Sequence, residues 1–334
     1  MKNKYINDIS TGDNLKKFVA VVKNINSKKT TTGAEFKDLT LSDNSGEINA
    51  KIWADNLDAC EEVTIGDVIS LDGTVDSFKG AIQLHIKSLE KVPVDKIELT
   101  DFVASYDGDL NALYSQINHY VKSVGNKFLK ELLDVFFGDE KFKKKFKLNP
   151  GAQFIHHAFL GGLMRHLYEM LQLMDRVCEL YPAINRDLLI TGILLHDIGK
   201  MDELETSTSI TRTNIGKLVG HITISSLKTD KAMAKIKNFP LELRNHVLHL
   251  ILSHHGELSF GSPVKPMTSE ALALHYIDQL SSKLDIINTQ TQNNIDQPGT
   301  FTGKVFALDG EVYIPDYNDM QSAEEHQLKE QKLF

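Results

Sequence analysis

Leu194-Leu195-His196-Asp197-Ile198-Gly199-Lys200 closes an apolar run that begins at Leu188. The run reads as a buried helix, and the glycine marks its end. Adjacent helical residues point about 100° apart, so His196 and Asp197 can reach one metal ion together only at a helix end or edge. A carboxylate has two oxygens and can bridge two ions. Lys200 lies one turn beyond His196 and can reach the same cleft, where an ammonium offsets phosphate charge. Alone, a His-Asp pair is weak, because such pairs arise by chance.

The neighbouring sequence strengthens it. Ten of the thirteen histidines lie between His156 and His275. His166 shares a helical stripe with Leu163, Met170 and Leu173, so its imidazole faces inward. His221 follows Gly220 at an apolar helix start. His254 and His255 close the stripe Val247, Leu250 and Ile251. Asp278 shares a face with Leu274, Ile277 and Ser281. A carboxylate on an apolar stripe is costly unless it is paired or metal-bound. Each residue singly has a plain structural explanation: a satisfied core histidine, a helix-packed aspartate, a C-terminal cap before Gly256. His, then His-Asp with Gly-Lys, then Gly-His, then His-His, then Asp, each on its own expected helix, is hard to reach by accident. Mixed imidazole and carboxylate donors suit Mn, Fe, Ni, Co or Zn better than Ca.

The rest of the chain bounds the answer. Its 334 residues suit about two domains. An apolar fraction of 41% and a charged fraction of 25% are ordinary for a globular protein, which excludes collagen and wholesale disorder. The net charge of -8 disfavours a nucleic-acid binder that relies on overall positive charge, but leaves room for a local basic groove. Cys60 and Cys178 fit neither a zinc knuckle nor a disulfide framework and suit a reducing compartment. The N-terminus has no apolar signal region, and no stretch of about 18 uncharged apolar residues spans a membrane. A cytoplasmic protein is expected.

Residues 18–92 read as β. Strands are expected at Phe18–Val22, Phe36–Leu41, Glu47–Trp53, Val68–Val75 and Ala81–Leu89. Asp43-Asn44-Ser45-Gly46 is a turn signal, and a helical insert falls near Asp55–Val63. Five short strands of this kind predict an OB-fold β-barrel. After Pro93 the pattern becomes helical, over Asn111–Val121, Asn126–Phe137 and about 157–180, 186–198, 220–237, 241–254 and 268–288. Val305–Tyr313 reads as a short hairpin. The expected division is an arm over 1–14, an OB-fold nucleic-acid-binding domain over 15–92, a helical connector over 93–150, an all-α metal-dependent domain over 151–315 and an acidic tail over 316–334.

The order of histidines and aspartates resembles the HD-domain superfamily of metal-dependent phosphohydrolases. The resemblance implies one metal held by His166, His196, Asp197 and Asp278. In members with two metals further histidines contribute, here His221 and His254, with Asp197 as the bridge. His255 is then a further ligand or a substrate contact. Phe154–His166, His254-His255-Gly256, His275–Leu280 with Lys283 and Asp285, and Phe301–Gly310 are similar to segments of the YhaM family of 3′–5′ exoribonucleases, over roughly residues 15 to 315. That family pairs an N-terminal OB-fold with a C-terminal HD domain. One departure is Met164-Arg165 before His166, where an aliphatic and an acidic residue are expected.

The resemblance implies a metal-dependent exonuclease that shortens single-stranded RNA, with single-stranded DNA as a second candidate substrate, releasing nucleoside 5′-monophosphates with one or two divalent ions. Mn²⁺ is the leading ion, with Fe²⁺, Co²⁺ and Ni²⁺ as alternatives. Asp197, Lys200 and His157 are the expected catalytic residues. His156 and His255 are expected to contact substrate. On a helix only one of His156 and His157 can face the cleft well, and the sequence does not choose. Phe36, Trp53 and Phe78, beside Lys37, Lys51 and Lys79, are candidate stacking residues on the barrel. For Trp53 core packing competes with that role. The Lys141–Lys147 run is either a solvated helix face or a backbone clamp. A homo-oligomer is open. Two other functions compete: an HD phosphohydrolase of nucleotides, cyclic nucleotides or other small phosphoesters, and a nucleic-acid-binding adaptor with a structural HD fold.

Overall fold

The computed structural model describes residues 2–316 except Asn3, Glu61, Lys79, Val94, Asp95 and Ile155; the side chains of Asp58, Ala59, Cys60 and Phe78 also fall outside the description. The expected acidic tail therefore lies outside the described residues apart from Asp316.

Strands β1 (Asn14–Lys29), β2 (Glu35–Asp43), β3 (Gly46–Trp53), β4 (Val68–Phe78) and β5 (Ala81–Lys91) close a barrel in the order β1-β2-β3-β5-β4. Alternation puts Leu39, Leu41, Ala50 and Ile52 inside, where they pack on Phe18, Ile69, Leu71 and Leu84. Burying each large apolar side chain contributes about 1.5–3 kcal/mol. Closure comes from a parallel pairing of β3 with β5, Asn49 opposite Gln83. The β1 strand is much longer than the apolar stretch Phe18–Val22 indicates. Its polar second half, Lys23–Lys29, stays extended because it pairs with β2 from Asn24 opposite Thr40 to Lys29 opposite Glu35.

The Asp43–Gly46 turn organises more than a hairpin. The Asp43 carboxylate accepts from Ile6 N (2.8 Å), Ser45 N (2.8 Å), Ser45 Oγ (2.6 Å) and Gly46 N (3.2 Å). It also pairs with Lys2 at 2.5 Å, both side chains being almost solvent-free. Next to it, Asn44 bonds the connector through Asp101 O (3.0 Å) and Thr100 O (2.6 Å). Phe102 packs on Val21 and Val68 of the barrel. At another point Thr208 Oγ1 donates to Gly66 O at 2.6 Å.

The helical part contains α1 (Leu110–Ser123), α2 (Lys127–Phe137), α3 (Glu140–Leu148), α4 (Gly162–Leu180), α5 (Arg186–Leu195), α6 (Lys200–Glu203), α7 (Asn214–Val219), α8 (His221–Met233), α9 (Leu241–Ser253) and α10 (Ser269–Asn293). Asp109, Asn126, Asp139, Asn185 and Thr268 cap five of them by accepting backbone N–H bonds, as short polar side chains do at helix starts. The core joins Leu163, Leu167 and Met170 of α4, Leu189, Ile190 and Ile193 of α5, Leu250 and Ile251 of α9, and Leu274 and Ile277 of α10.

Three differences from the sequence reading matter. The helical half is not purely α, because β6 (Leu204–Thr206) and β7 (Ile210–Arg212) form a hairpin after α6. These segments are too short for a periodic signal. Helix α4 begins at Gly162 rather than near 157. His157 has φ 50° and Gly161 φ 84°, so residues 156–161 form a loop. A Cβ at Gly162 would sit 2.0 Å from His157 O, which only glycine permits. Around 305–313 the chain makes isolated bridges, Phe301 to Tyr313 and Val305 to Gly310, instead of a regular hairpin.

Candidate metal centre

Helix ends converge on one buried point. His166 lies in the first turns of α4, His196 and Asp197 directly follow α5, His221 opens α8, and His254 and His255 directly follow α9. Asp278 enters from the middle of α10. Gly199 makes the convergence possible: a Cβ there would lie 2.2 Å from His221 O, and its N–H donates to Ser225 Oγ at 2.8 Å. The start of α8 thus rests against the backbone just after His196-Asp197.

Three overlapping trios have donor atoms within 4.8 Å of one another: His166, His196 and Asp197; His196, His254 and Asp278; and His221, His254 and His255. Asp197 faces both ends of the cluster. Its Oδ2 is 3.2 Å from His196 Nε2 and 2.7 Å from Lys200 Nζ; its Oδ1 is 3.5 Å from His221 Nε2 and 3.8 Å from His254 Nε2. The Nε2 atoms of His166, His196, His221 and His254, and Asp197 Oδ1, are buried without a hydrogen bond. Buried polar atoms are normally satisfied, so these converging orphans fit a cation. Their mixed nitrogen and oxygen character fits a divalent transition metal.

The opposite ring nitrogens are anchored. Nδ1 of His196 bonds Ile193 O (2.8 Å), that of His254 bonds Ile251 O (2.6 Å), and that of His255 bonds Phe260 O (2.8 Å). These bonds aim Nε2 inward. His275 supports the same turn, with Nδ1 2.8 Å from His254 O and its ring beneath Gly256. Burial pushes the His166 and His254 imidazoles down. Burial also opposes ionisation of Asp197 and Asp278, but His196 and Lys200 beside the first and His166 beside the second hold both carboxyls below their ordinary range. His196 is also penalised by burial, yet Asp197 raises it above the usual histidine value. Two neutral imidazoles and two carboxylates are the protonation states a cation needs.

A cleft of about 450 Å³ opens over the cluster, lined by His156, Lys200, Arg212, His221, His255 and Phe260 among others. The two adjacent histidines part company. His156 lines the cleft with its Nδ1 unpaired. Burial, then Lys200, pushes its pKa down to about 3. His157 is buried beneath: its ring Nε2 is 3.1 Å from Glu169 Oε2, and its backbone N–H donates to Asp285 Oδ2 at 2.7 Å. A loop rather than a helix carries the pair, and it turns the His157 ring inward while His156 lines the cleft. His157 braces the loop.

Residues 163–283 match the HD domain family, and residues 17–92 match the OB-fold nucleic acid binding domain family. The 3′–5′ exoribonuclease YhaM of Oceanobacillus iheyensis is 35% identical over 292 residues, covering 87% of this chain and 90% of that protein. The same-named protein of Bacillus subtilis is 33% identical over 286 residues, 85% of this chain and 89% of its own. This chain belongs to the YhaM family. With the HD match and the buried cluster together, its helical half is a divalent-metal site.

The barrel gathers the expected aromatics, except that the Phe78 side chain lies outside the described residues. Phe36 on β2 stands opposite Trp53 on β3, ring centroids 5.1 Å apart. Lys51 Nζ lies 5.2 Å from the Phe36 ring and 5.6 Å from the Trp53 ring. Trp53 is 37% exposed, so it is a surface residue and not core. Its Nε1 donates to His85 Nδ1 at 3.0 Å. The sequence reading passed over His85, whose only signal is its place opposite Lys51 on β5.

In the lysine run, Lys145 pairs with Asp202 (2.9 Å), Lys143 with Glu140 (3.4 Å) and Lys147 with Asn111 (2.6 Å). Partners within α3, on α1 and on α6 thus engage these lysines, which favours a helix face tied to the surrounding fold over a clamp. Three further residues, Glu169, Glu203 and Arg212, are not singled out by the sequence. Arg165 donates to Glu169 Oε1 at 2.6 Å, so the unexpected arginine serves an acidic residue one turn on. Glu203 and Arg212 pair at 2.7 Å on the cleft wall. Glu169 lies three residues after His166, spacing that places it on that histidine's side of α4, whereas Glu203 on α6 reaches His221 at the start of α8. Among the described residues no helix is long and apolar enough to cross a membrane.

Proposed function

We propose that this chain is a cytoplasmic, metal-dependent 3′–5′ exonuclease that trims single-stranded RNA, with single-stranded DNA as a second polymer. The carrying observation is the set of buried, unbonded donor atoms on His166, His196, Asp197, His221 and His254 beside Lys200. The YhaM relatives named 3′–5′ exoribonuclease support the polymer and the direction.

In this reading His166, His196, Asp197 and Asp278 would hold one ion, and His221, His254 and His255 with Asp197 a second, Mn²⁺ being the leading species. A divalent ion bound there supplies Lewis acidity and acidifies water at neutral pH. Hydrolysis adds water across the terminal P–O3′ bond. It leaves a 5′-phosphate on the released nucleoside and a 3′-hydroxyl on the shortened strand. Lys200, held by Asp197, offsets charge on the phosphoryl oxygens. His156 lines the cleft, where burial and the neighbouring Lys200 disfavour its charged form, and it serves as a hydrogen-bond partner for substrate. Helix α10 exposes Leu272, Tyr276, Leu280 and Leu284 along its length, an apolar surface that a second copy would cover in a homo-oligomer.

Digestion of 5′-labelled single-stranded RNA with Mn²⁺ tests the reading. A ladder shortening from the 3′ end and abolished by EDTA is expected. No cleavage of RNA alongside rapid hydrolysis of a nucleotide would favour the small-phosphoester alternative. Trp53→Ala should weaken RNA binding by about 1–3 kcal/mol, roughly 5- to 150-fold. Hydrolysis of a small chromogenic phosphodiester should be unaffected. Equal losses on both substrates would remove the barrel from the RNA path.

A further inference from the structure

The cluster's histidines are anchored in two different ways. Main-chain carbonyls hold Nδ1 of His196, His254 and His255. Side chains hold the other two. His166 Nδ1 lies 3.0 Å from Ser281 Oγ, which donates to Glu169 Oε2 at 2.9 Å. His221 Nδ1 lies 3.0 Å from Glu203 Oε2. Each carboxylate is tied to an arginine, Glu169 to Arg165 at 2.6 Å and Glu203 to Arg212 at 2.7 Å. The two arrangements stand on opposite sides of Asp197. His166 belongs to one trio of donor atoms and His221 to another.

We propose that Glu203 and the Ser281–Glu169 pair are positioning groups that act on the two halves of the metal centre separately, Glu203 through His221 and Ser281 through His166. The inference rests on the metal-site reading. A carboxylate or hydroxyl accepting the Nδ1 proton fixes the tautomer that leaves the Nε2 lone pair free. It also holds the ring in the orientation that aims this lone pair at the ion. Main-chain anchors follow from the helix ends and survive most substitutions. The side-chain anchors can be removed without touching any donor atom of the cluster. Arg165 and Arg212 neutralise the outer carboxylates, so the ring partners are oriented without adding net negative charge.

Equilibrium dialysis of the full chain against Mn²⁺, followed by elemental analysis, tests this. Four single variants are compared with the wild type: Glu203→Gln, Ser281→Ala, His221→Ala and His166→Ala. The doubles Glu203→Gln/His221→Ala and Ser281→Ala/His166→Ala complete two cycles. Glu203→Gln and Ser281→Ala should each weaken Mn²⁺ binding about 10- to 100-fold. Neither should weaken it further once its own histidine is gone. An unchanged binding curve for Glu203→Gln and Ser281→Ala overturns the inference. So does an equal loss in the backgrounds lacking His221 and His166, which would mark a general effect on the fold. Ser281→Ala removes only a hydroxyl and keeps the test alive if Glu203→Gln does not fold. A wild type that takes up no Mn²⁺ overturns the metal-site reading itself, an outcome distinct from the others.

Discussion

Asp197→Asn is expected to slow 3′-end trimming at least about 10³-fold, roughly 4 kcal/mol on the barrier. The substitution keeps the volume and one carbonyl oxygen but removes the charge that faces both ends of the cluster. The Asp197 carboxylate lies within 4 Å of His196, Lys200, His221 and His254. One neutral amide oxygen then stands where a two-oxygen anion faced both halves of the cluster, and Lys200 loses the ion-pair partner that holds it at the cleft. The loss should appear in single-turnover kinetics with RNA saturating and Mn²⁺ in excess. Binding of RNA to the barrel should persist, because Phe36, Lys51 and Trp53 are separate from this change. Trp53→Ala gives the opposite pattern, weak binding with intact chemistry on a small diester. Robust trimming by purified Asp197→Asn protein would remove the site assignment.

Asp43→Ala is expected to cost about 3–5 kcal/mol of folding free energy, the usual price of stripping one member from a buried ion pair. The carboxylate receives four hydrogen bonds besides Lys2, all of which lose their acceptor. Urea unfolding at pH 7 reads the loss directly. Its pH dependence has a definite sign. Burial opposes ionisation of Asp43, yet Lys2 and Ser45 hold its carboxyl below the ordinary range. A group whose folded pKa is depressed stabilises the fold above its unfolded value, about 3.9, and loses that contribution as pH falls through the folded value. The gap between wild type and variant should be full at neutral pH and shrink in acid. A gap that stays constant down to pH 2 would show that charge at Asp43 does not matter.

Much of the architecture was legible locally. Strand alternation at Leu39, Leu41, Ala50 and Ile52 and helical spacing in Leu163, Met170 and Leu250 depend on neighbours a few residues apart. The barrel-then-helices order followed from them. The β6–β7 hairpin did not, because three-residue strands carry no period. The loop before α4 was read as helix since Gly161-Gly162 lies within an apolar stretch, and nothing local reveals that His157 takes a positive φ.

The chain's residue order by itself determined the kinds of donor available and the helix ends that carry them, because glycines and apolar stripes place His196, His221 and His254 without knowledge of partners. Only the tertiary structure decided which atoms meet. His166 reaches Ser281 across 115 residues, and His157 N–H reaches Asp285 across 128. Trp53 on β3 finds His85 on the paired strand β5, and Glu203 on a short helix meets His221 at the start of α8. Such contacts join side chains brought together by packing, and periodicity along a helix or strand carries no information about the element opposite.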